Sequence, residues 1–240
     1  ETTPELIPAD LYFAGLDGTW NADGDALWGE APILSSQSDP DGGDLYAEVY
    51  VARAPVETPA QAAAFVQKVI GYETPLDPTY QNNTLFLGEV LFPVNWDTSQ
   101  TVEVDGAQLS EDMIAQRIPV GVPVERRYET YPEYPGSLPL SQSGSLAALQ
   151  AGANLVNHIG HGYRYNMSVG DQSIVNADAD VLANGNRTCV LNILNCTSLA
   201  FDYSCLGEHF VLNPGGGAVA VIGASRSAWP MPAREYQDDF

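Results

Sequence analysis

Lysine is nearly absent from this sequence. Lys68 stands alone, and nine basic residues in all face 31 acids, for a formal net charge of −22. A surface so acidic excludes nucleic acid and anionic membranes as natural partners. It suits salty water, where screening relieves self-repulsion, and it suits a protein that binds calcium. Long apolar runs are missing too: no stretch approaches the roughly 20 residues of a membrane-spanning helix. The opening ETTPELIPAD has neither the basic nor the apolar part of a signal peptide, so the text reads as a mature or trimmed segment. Cysteine and histidine are scarce, three of each. An odd cysteine count leaves at least one thiol free, and in a secreted protein a free thiol calls for a role. Catalysis is one role; a buried, inert strand cysteine is the plain alternative.

What is present is an alternation of strand-like and helix-like text, with no internal repeat and no clear linker, read as one domain over residues 1–240. LYFAG, from Leu11, reads as a short strand, and LYAEVYVAR, Leu45 to Arg53, as another; polar loop text (SSQSDPDGGD) fills Ser35 to Asp44. Thr58 is placed to cap a helix that starts with Pro59 and turns Ala62, Phe65, Val66, Val69 and Ile70 to one face. LFLGEVLF, Leu85 to Phe92, is a buried strand interrupted at Gly88 and Glu89. A helix is expected over Asp105 to Arg117, a proline-bearing connection over Val120 to Tyr134, and a further helix from Ser143 to Gln150. Three apolar strands follow, ANLVNHIGHG, TCVLNILNCTS and GAVAVIGASR, with the helix CLGEHFVLN between the last two. The pattern predicts an α/β fold with a mainly parallel β-sheet and helices on both faces. Active sites of such sheets gather at the carboxyl ends of strands.

His161 and Cys196 each end one of those strands. If the strands are neighbours, both side chains reach one rim, where an imidazole can activate a thiol and later protonate a leaving amine. Gly162 lets its N–H approach a substrate carbonyl closely, and with the amide of Cys196 it makes a candidate oxyanion hole.

NHIGHG, Asn157 to Gly162, resembles the stretch that carries the catalytic histidine in gingipain-type cysteine peptidases (peptidase family C25, in the caspase-like clan). NCTSLAFDYSCLGEHF, from Asn195, resembles their nucleophile segment, with Phe201 five residues after Cys196 and Cys205 to Glu208 matching the helix start. GGAVAVIGASRSAWPMP is similar to the following strand and its tryptophan loop. PADLYFAGLDGTW and YVARAPVETPAQAAAFVQKVIGYE are similar to the opening strand and first long helix. The resemblance runs along most of the chain in the right order. It implies a caspase-like fold and a secreted or cell-surface endopeptidase of bacterial type, with a protein or peptide substrate and a propeptide or further domains from the same precursor. It implies Cys196 as nucleophile, His161 as its partner, and Trp229 in the substrate pocket. Glu89 is the acid nearest the family's third catalytic carboxylate, about two residues early in an ungapped match. Asp105 takes the place of the acid that reads an arginine side chain, whereas the lysine-reading acid falls on Pro232. The text stops at AREYQDDF, where the family implies a further helix, so the domain reads as incomplete at that end.

Plainer readings stand beside these. His158 and His161 lie three apart on a strand and so face opposite sides, which argues against a shared zinc. His158 then reads as a packed strand histidine, His209 as structural, and Cys205 as inert, with a Cys189–Cys205 bridge left open. DGTWNADGDALWGE sets Asn21, Asp23 and Asp25 at alternating positions around Gly24, with Asp17 before them and Glu30 closing the turn. Oxygen ligands in that arrangement suit a structural Ca²⁺, and no cofactor is implied for the chemistry itself. The competing whole-protein reading is a non-catalytic, calcium-stabilised module on a caspase-like scaffold.

Overall fold

The computed structural model describes residues 7, 10–30, 41–42 and 46–231. The chain divides into two compact units, Glu1–Ala54 and Pro55–Phe240, where the sequence read as one domain. In the first unit Leu11–Ala14 forms a single helical turn, α1, rather than a strand. Residues 46–53 are irregular and largely exposed, with Tyr50 and Tyr46 open to solvent, so LYAEVYVAR is no strand over its described part. Alternation alone is weak evidence where no neighbouring strand takes up the backbone groups. Leu45, the polar text at 35–40 and 43–44, Pro232 and the terminal AREYQDDF segment lie outside the described residues.

The second unit is built on a six-stranded sheet. Its elements in chain order are α2 (Pro59–Glu73), β1 (Thr84–Gly88), β2 (Val90–Phe92), β3 (Val104–Asp105), α3 (Gly106–Arg117), β4 (Val124–Tyr128) and β5 (Leu138–Pro139). There follow α4 (Gln142–Ala151), β6 (Leu155–Ile159), β7 (Gly162–Tyr163), β8 (Asn166–Ser168), β9 (Ser173–Val175), α5 (Asn176–Asp180), β10 (Cys189–Leu194), α6 (Leu206–Leu212) and β11 (Ala218–Gly223). The sheet runs β11-β10-β6-β1-β4-β5, and every pairing in it is parallel. The chain therefore starts in the middle, moves outward through β4 and β5, and returns to the other side of β1 with β6. That reversal opens a crevice between β1 and β6 at their carboxyl ends.

Both faces of the sheet are covered, and β1 explains how. Leu85 and Leu87 enter one core with Val156, Leu191, Ile193 and Phe210; Phe86 enters the other with Ala107, Met113, Tyr128, Ile159 and Leu194. Thr58 closes a capping box with Gln61 at the start of α2, as its sequence suggests. The docked stripe is rotated from the expected one: Val66 and Ile70 are half-exposed, and Lys68 is buried instead. The reason is that the Lys68 ammonium donates to the carbonyls of Phe210, Val211 and Ala218, at the end of α6 and the start of β11. The supposed connection at Val120–Tyr134 contains β4, a strand inside the sheet. Its text, VERRY, hides this because its charges are paired: Arg126 and the Tyr128 hydroxyl both meet Glu111 on α3, and Arg127 meets Glu125. A small antiparallel sheet, β7-β8-β9, leaves the end of β6 directly after His161. All three cysteines are free thiols, so Cys189 and Cys205 are not bridged.

Candidate active site

Ile159 of β6 pairs with Leu194 of β10, and Gly160 N donates to Leu194 O at 3.1 Å. His161 and Cys196 stand equally far beyond that pair, in the non-strand segments that follow the carboxyl ends of β6 and β10, and Ile159 and Leu194 themselves face the core covered by α3. The imidazole lies on that side: its Nε2 donates to the carbonyl of Leu91 at 3.0 Å, and its ring meets Phe92 edge to face at 6.5 Å between centroids. A carbonyl accepts only, so Nε2 carries a proton and Nδ1 is the nitrogen left to act as a base. Cys196 is half-buried, with Sγ 3.8 Å from Ala228 O, the residue before the exposed Trp229.

Thr197, directly after Cys196, has φ 59°, a left-handed conformation that a β-branched residue rarely adopts. Its N–H is fixed on Arg226 O at 2.9 Å. Around this turn the buried Asn195 amide and the hydroxyls of Thr197 and Ser198 find no hydrogen-bond partner among the described residues. Unsatisfied polar groups and backbone strain on one short segment are typical of functional sites. Gly162 is packed against the Asn195 amide and Asn166 O, where a β-carbon would collide. Ser168 N donates to His161 O, so Gly162 and Met167 form a non-hydrogen-bonded pair and the Gly162 N–H is directed away from β8.

Glu89 lies at the end of β1, 5 % exposed, but its carboxylate does not meet the imidazole. It accepts from the backbone N–H of His161 at 2.7 Å and of Gly170 at 3.2 Å. Burial pushes its carboxyl up to about 8, against the pull of those two donors and with Glu129 adding to the rise. Asp105 caps α3: Oδ1 accepts from Ala107 N, and Oδ2 from Thr130 Oγ1 and Tyr134 OH. Three of its roughly four acceptor positions are taken, so it can offer a guanidinium one hydrogen bond rather than a bidentate pair. His158 is fully buried, donates from Nε2 to Ser168 O at 2.7 Å, and is lowered by burial to about 4.

Sequence reasoning missed three parts of this arrangement. The Leu91 carbonyl is backbone and leaves no side-chain signal. Thr130 and Tyr134 sat in text misread as a connection. Asn195 stands in the stretch that resembles the nucleophile segment, and a polar side chain at a buried strand end is itself a signal.

The chain matches the model of peptidase family C25 over residues 2–240. The chain belongs to that family. It matches none of the curated proteins. Among solved structures it resembles "Structure of Protease", at 20% identity and TM-score 0.66, over 93% of this chain and 41% of that one. It also resembles the Arg specific cysteine proteinase gingipain R (RGPB), at 19% identity and TM-score 0.67, over 82% of this chain and 44% of that one. A complex of Porphyromonas gingivalis RgpB pro- and mature domains matches at 19% identity and TM-score 0.64, with 82% and 45% covered. These likenesses establish the caspase-like fold, and the chain spans less than half the length of each structure. No helix among the described residues is long and apolar enough to cross a membrane.

In the first unit the predicted ion ligands separate into two groups. Asp23 and Glu30 converge with Asp41, each offering an oxygen within 4.8 Å of the others. Glu30 is raised above the ordinary carboxylate range by burial and by Asp25, Asp41 and Asp23. Asn21 Oδ1 is buried with no partner among the described residues. Asp25 is turned to another task, accepting from Leu27 N, and Asp17 stays outside the group. Hard oxygen donors of this kind fit Ca²⁺.

Proposed function

We propose that the chain is the catalytic core of a secreted cysteine endopeptidase. The observation that carries this is the Ile159–Leu194 register, which brings His161 and Cys196 to one rim, with the ring held from behind by Leu91 O. His161 Nδ1 takes the Cys196 proton, the thiolate attacks the scissile carbonyl, and the imidazolium protonates the departing amine. The N–H groups of Gly162 and Cys196 receive the oxyanion. Water then hydrolyses the thioester with His161 again as base. Glu89 acts as a positioning residue, holding the His161 backbone rather than its ring. The P1 side chain lies between Trp229 and Asp105, and one free acceptor position on Asp105 supports a modest preference for Arg. A propeptide or further domains of the precursor would cover this rim before activation.

Cys196→Ala removes cleavage of a fluorogenic Arg-peptide library and labelling by a thiol-directed peptide warhead. His161→Ala lowers turnover by about 10²–10⁴-fold, the range of a positioned acid–base group. Cleavage that survives in the Cys196→Ala protein would refute the assignment.

We further propose that Asn21, Asp23, Glu30 and Asp41 hold a structural Ca²⁺. Chelation by EGTA should then lower the thermal midpoint, and Asp23→Asn should abolish that response. A parent protein indifferent to EGTA would end this reading.

A further inference from the structure

A second cluster of reactive side chains lies away from the Cys196 rim. Asp180 is the last residue of α5, His209 lies one turn into α6, and Ser204 immediately precedes Cys205, the N-cap of α6. The Asp180 carboxylate is 2.7 Å from His209 Nδ1, and His209 Nε2 is 3.0 Å from Ser204 Oγ. A carboxylate can only accept, so Nδ1 carries the ring proton. Nε2 of the neutral ring is then a bare acceptor, and the Ser204 hydroxyl must donate to it. That is the proton order a histidine needs to activate a serine, with the acid fixing the tautomer.

The surroundings make the cluster usable and give it a preference. Ser204 is exposed, whereas three quarters of the His209 side chain is shielded, with 26% accessible. Both line a cavity of about 670 Å³. Its other lining includes Glu57, Asp202 and Glu208, with Phe201 and Tyr203 as aromatic walls; Asp202 is paired with Arg226, and the Arg164 guanidinium lies over the Tyr203 ring, 4.8 Å from its centroid. The excess of carboxylates and the Phe201 ring attract a cation, and a quaternary ammonium suits them without needing hydrogen bonds. An anionic or bulky neutral ligand would gain nothing there.

We propose that Ser204, His209 and Asp180 form a second nucleophilic centre, independent of Cys196, that hydrolyses small carboxylic esters bearing a positive charge. Ser204 Oγ bonds to the ester carbonyl carbon while its proton passes to His209 Nε2, and Asp180 holds the imidazolium. The carbon–alkoxy bond breaks and the leaving alcohol takes the proton from Nε2, leaving an acyl-Ser204. Water, deprotonated by the same nitrogen, attacks the acyl carbon, releases the carboxylic acid and restores the hydroxyl. Ester and water become acid and alcohol, with no other reactant.

The test uses the full chain carrying Cys196→Ala, so that the Cys196 thiol cannot contribute, with acetylcholine as cationic ester and its carbon isostere 3,3-dimethylbutyl acetate as neutral one. Acetylcholine turnover should persist in that protein and fall about 10²-fold when Ser204→Ala is added, the low end of general-base catalysis. A fluorophosphonate should label Ser204, and the adduct is located by peptide mass spectrometry. Ser204→Ala changes an exposed hydroxyl, so an unchanged thermal midpoint verifies the fold, and with Cys196 restored it should leave peptide cleavage intact. Equal ester hydrolysis with and without Ser204, or a phosphonate found elsewhere, would overturn the proposal. Faster turnover of the neutral ester would overturn the assignment of the cavity to cations.

Discussion

Three buried asparagines divide the second unit into two kinds of region. Near the junction of α2, α6 and β11, the Asn184 amide donates to Arg187 O and Gly217 O and accepts from Gly217 N. Asn213 donates to Ala179 O and Leu182 O and accepts from Gly215 N. Lys68 is as fully engaged, with three carbonyl acceptors. At the carboxyl rim Asn195 is equally buried, 2 % exposed, and neither end of its amide is partnered among the described residues. Burial does not distinguish these residues; hydrogen-bond satisfaction does. The junction holds the fold, while the rim tolerates unmet polarity and a strained Thr197 around a thiol. Proteins accept such local instability where a reaction needs fixed geometry.

The largest expected effect sets one buried ionisable group of each region against the other. Glu89 at the rim is pushed up from 4.5 to about 8 by burial. Between those values the folded chain holds a proton the unfolded chain has released, so stability falls as pH rises through that window. Lys68 at the junction is lowered from 10.5 to about 8, chiefly by burial. Between about 8 and 10.5 the unfolded chain holds the extra proton, and stability rises with pH. Each limb has a slope of about 1.4 kcal/mol per pH unit. Urea denaturation from pH 4 to 11 should therefore show a trough near pH 8 on top of the chain's other titrations. Glu89→Gln should remove the falling limb alone, and Lys68→Met the rising limb alone. A Glu89→Gln curve parallel to the parent's would show that folding leaves the Glu89 carboxyl unshifted.

The asparagines offer the next contrast. Asn213→Ala orphans two carbonyls and one N–H, and should cost about 3 kcal/mol in urea unfolding. Asn195→Ala breaks no hydrogen bond within the chain and relieves a buried amide, so stability should change by less than about 1 kcal/mol or rise. Peptidase turnover should respond in the opposite sense, falling with Asn195→Ala and holding with Asn213→Ala once the protein is folded. Equal stability losses would erase the distinction between rim and junction.

This distinction also marks what the sequence could reveal. β1, β6 and β10 were legible because strands buried on both faces must be nearly all apolar, β11 because its text is apolar although it ends the sheet half-exposed, and α2 because its cap stands in the text at Thr58. The strand-end placement of His161 and Cys196 was legible for the same reason. β4 was not, since Arg126, Arg127 and Tyr128 look like surface text until Glu111 and Glu125 are seen beside them. Lys68 was read past because charge argues for exposure, and only the three-dimensional fold gathers carbonyls from α6 and β11 around it. The partners of Glu89 and Asp105 were equally hidden, because Gly170, Thr130 and Tyr134 come from distant turns. Asp41 joins Asp23 and Glu30 across a gap in sequence that spacing arguments do not bridge.

The smallest effect concerns Thr197 itself. At φ 59° a β-branched side chain is held in a conformation costing on the order of 1–3 kcal/mol, whereas glycine adopts it freely. Glycine also gives up more backbone freedom on folding, by about 0.5–1 kcal/mol, so Thr197→Gly should stabilise the chain by only about 1 kcal/mol, or one to a few degrees in thermal midpoint. The Thr197 hydroxyl has no partner among the described residues, so its removal adds no penalty. Peptide cleavage is the sharper readout. If the strained turn serves to fix Cys196 beside His161, the freed backbone should lower kcat while KM holds. A glycine variant that gains stability and keeps kcat would show the strain to be incidental to the thiol's placement.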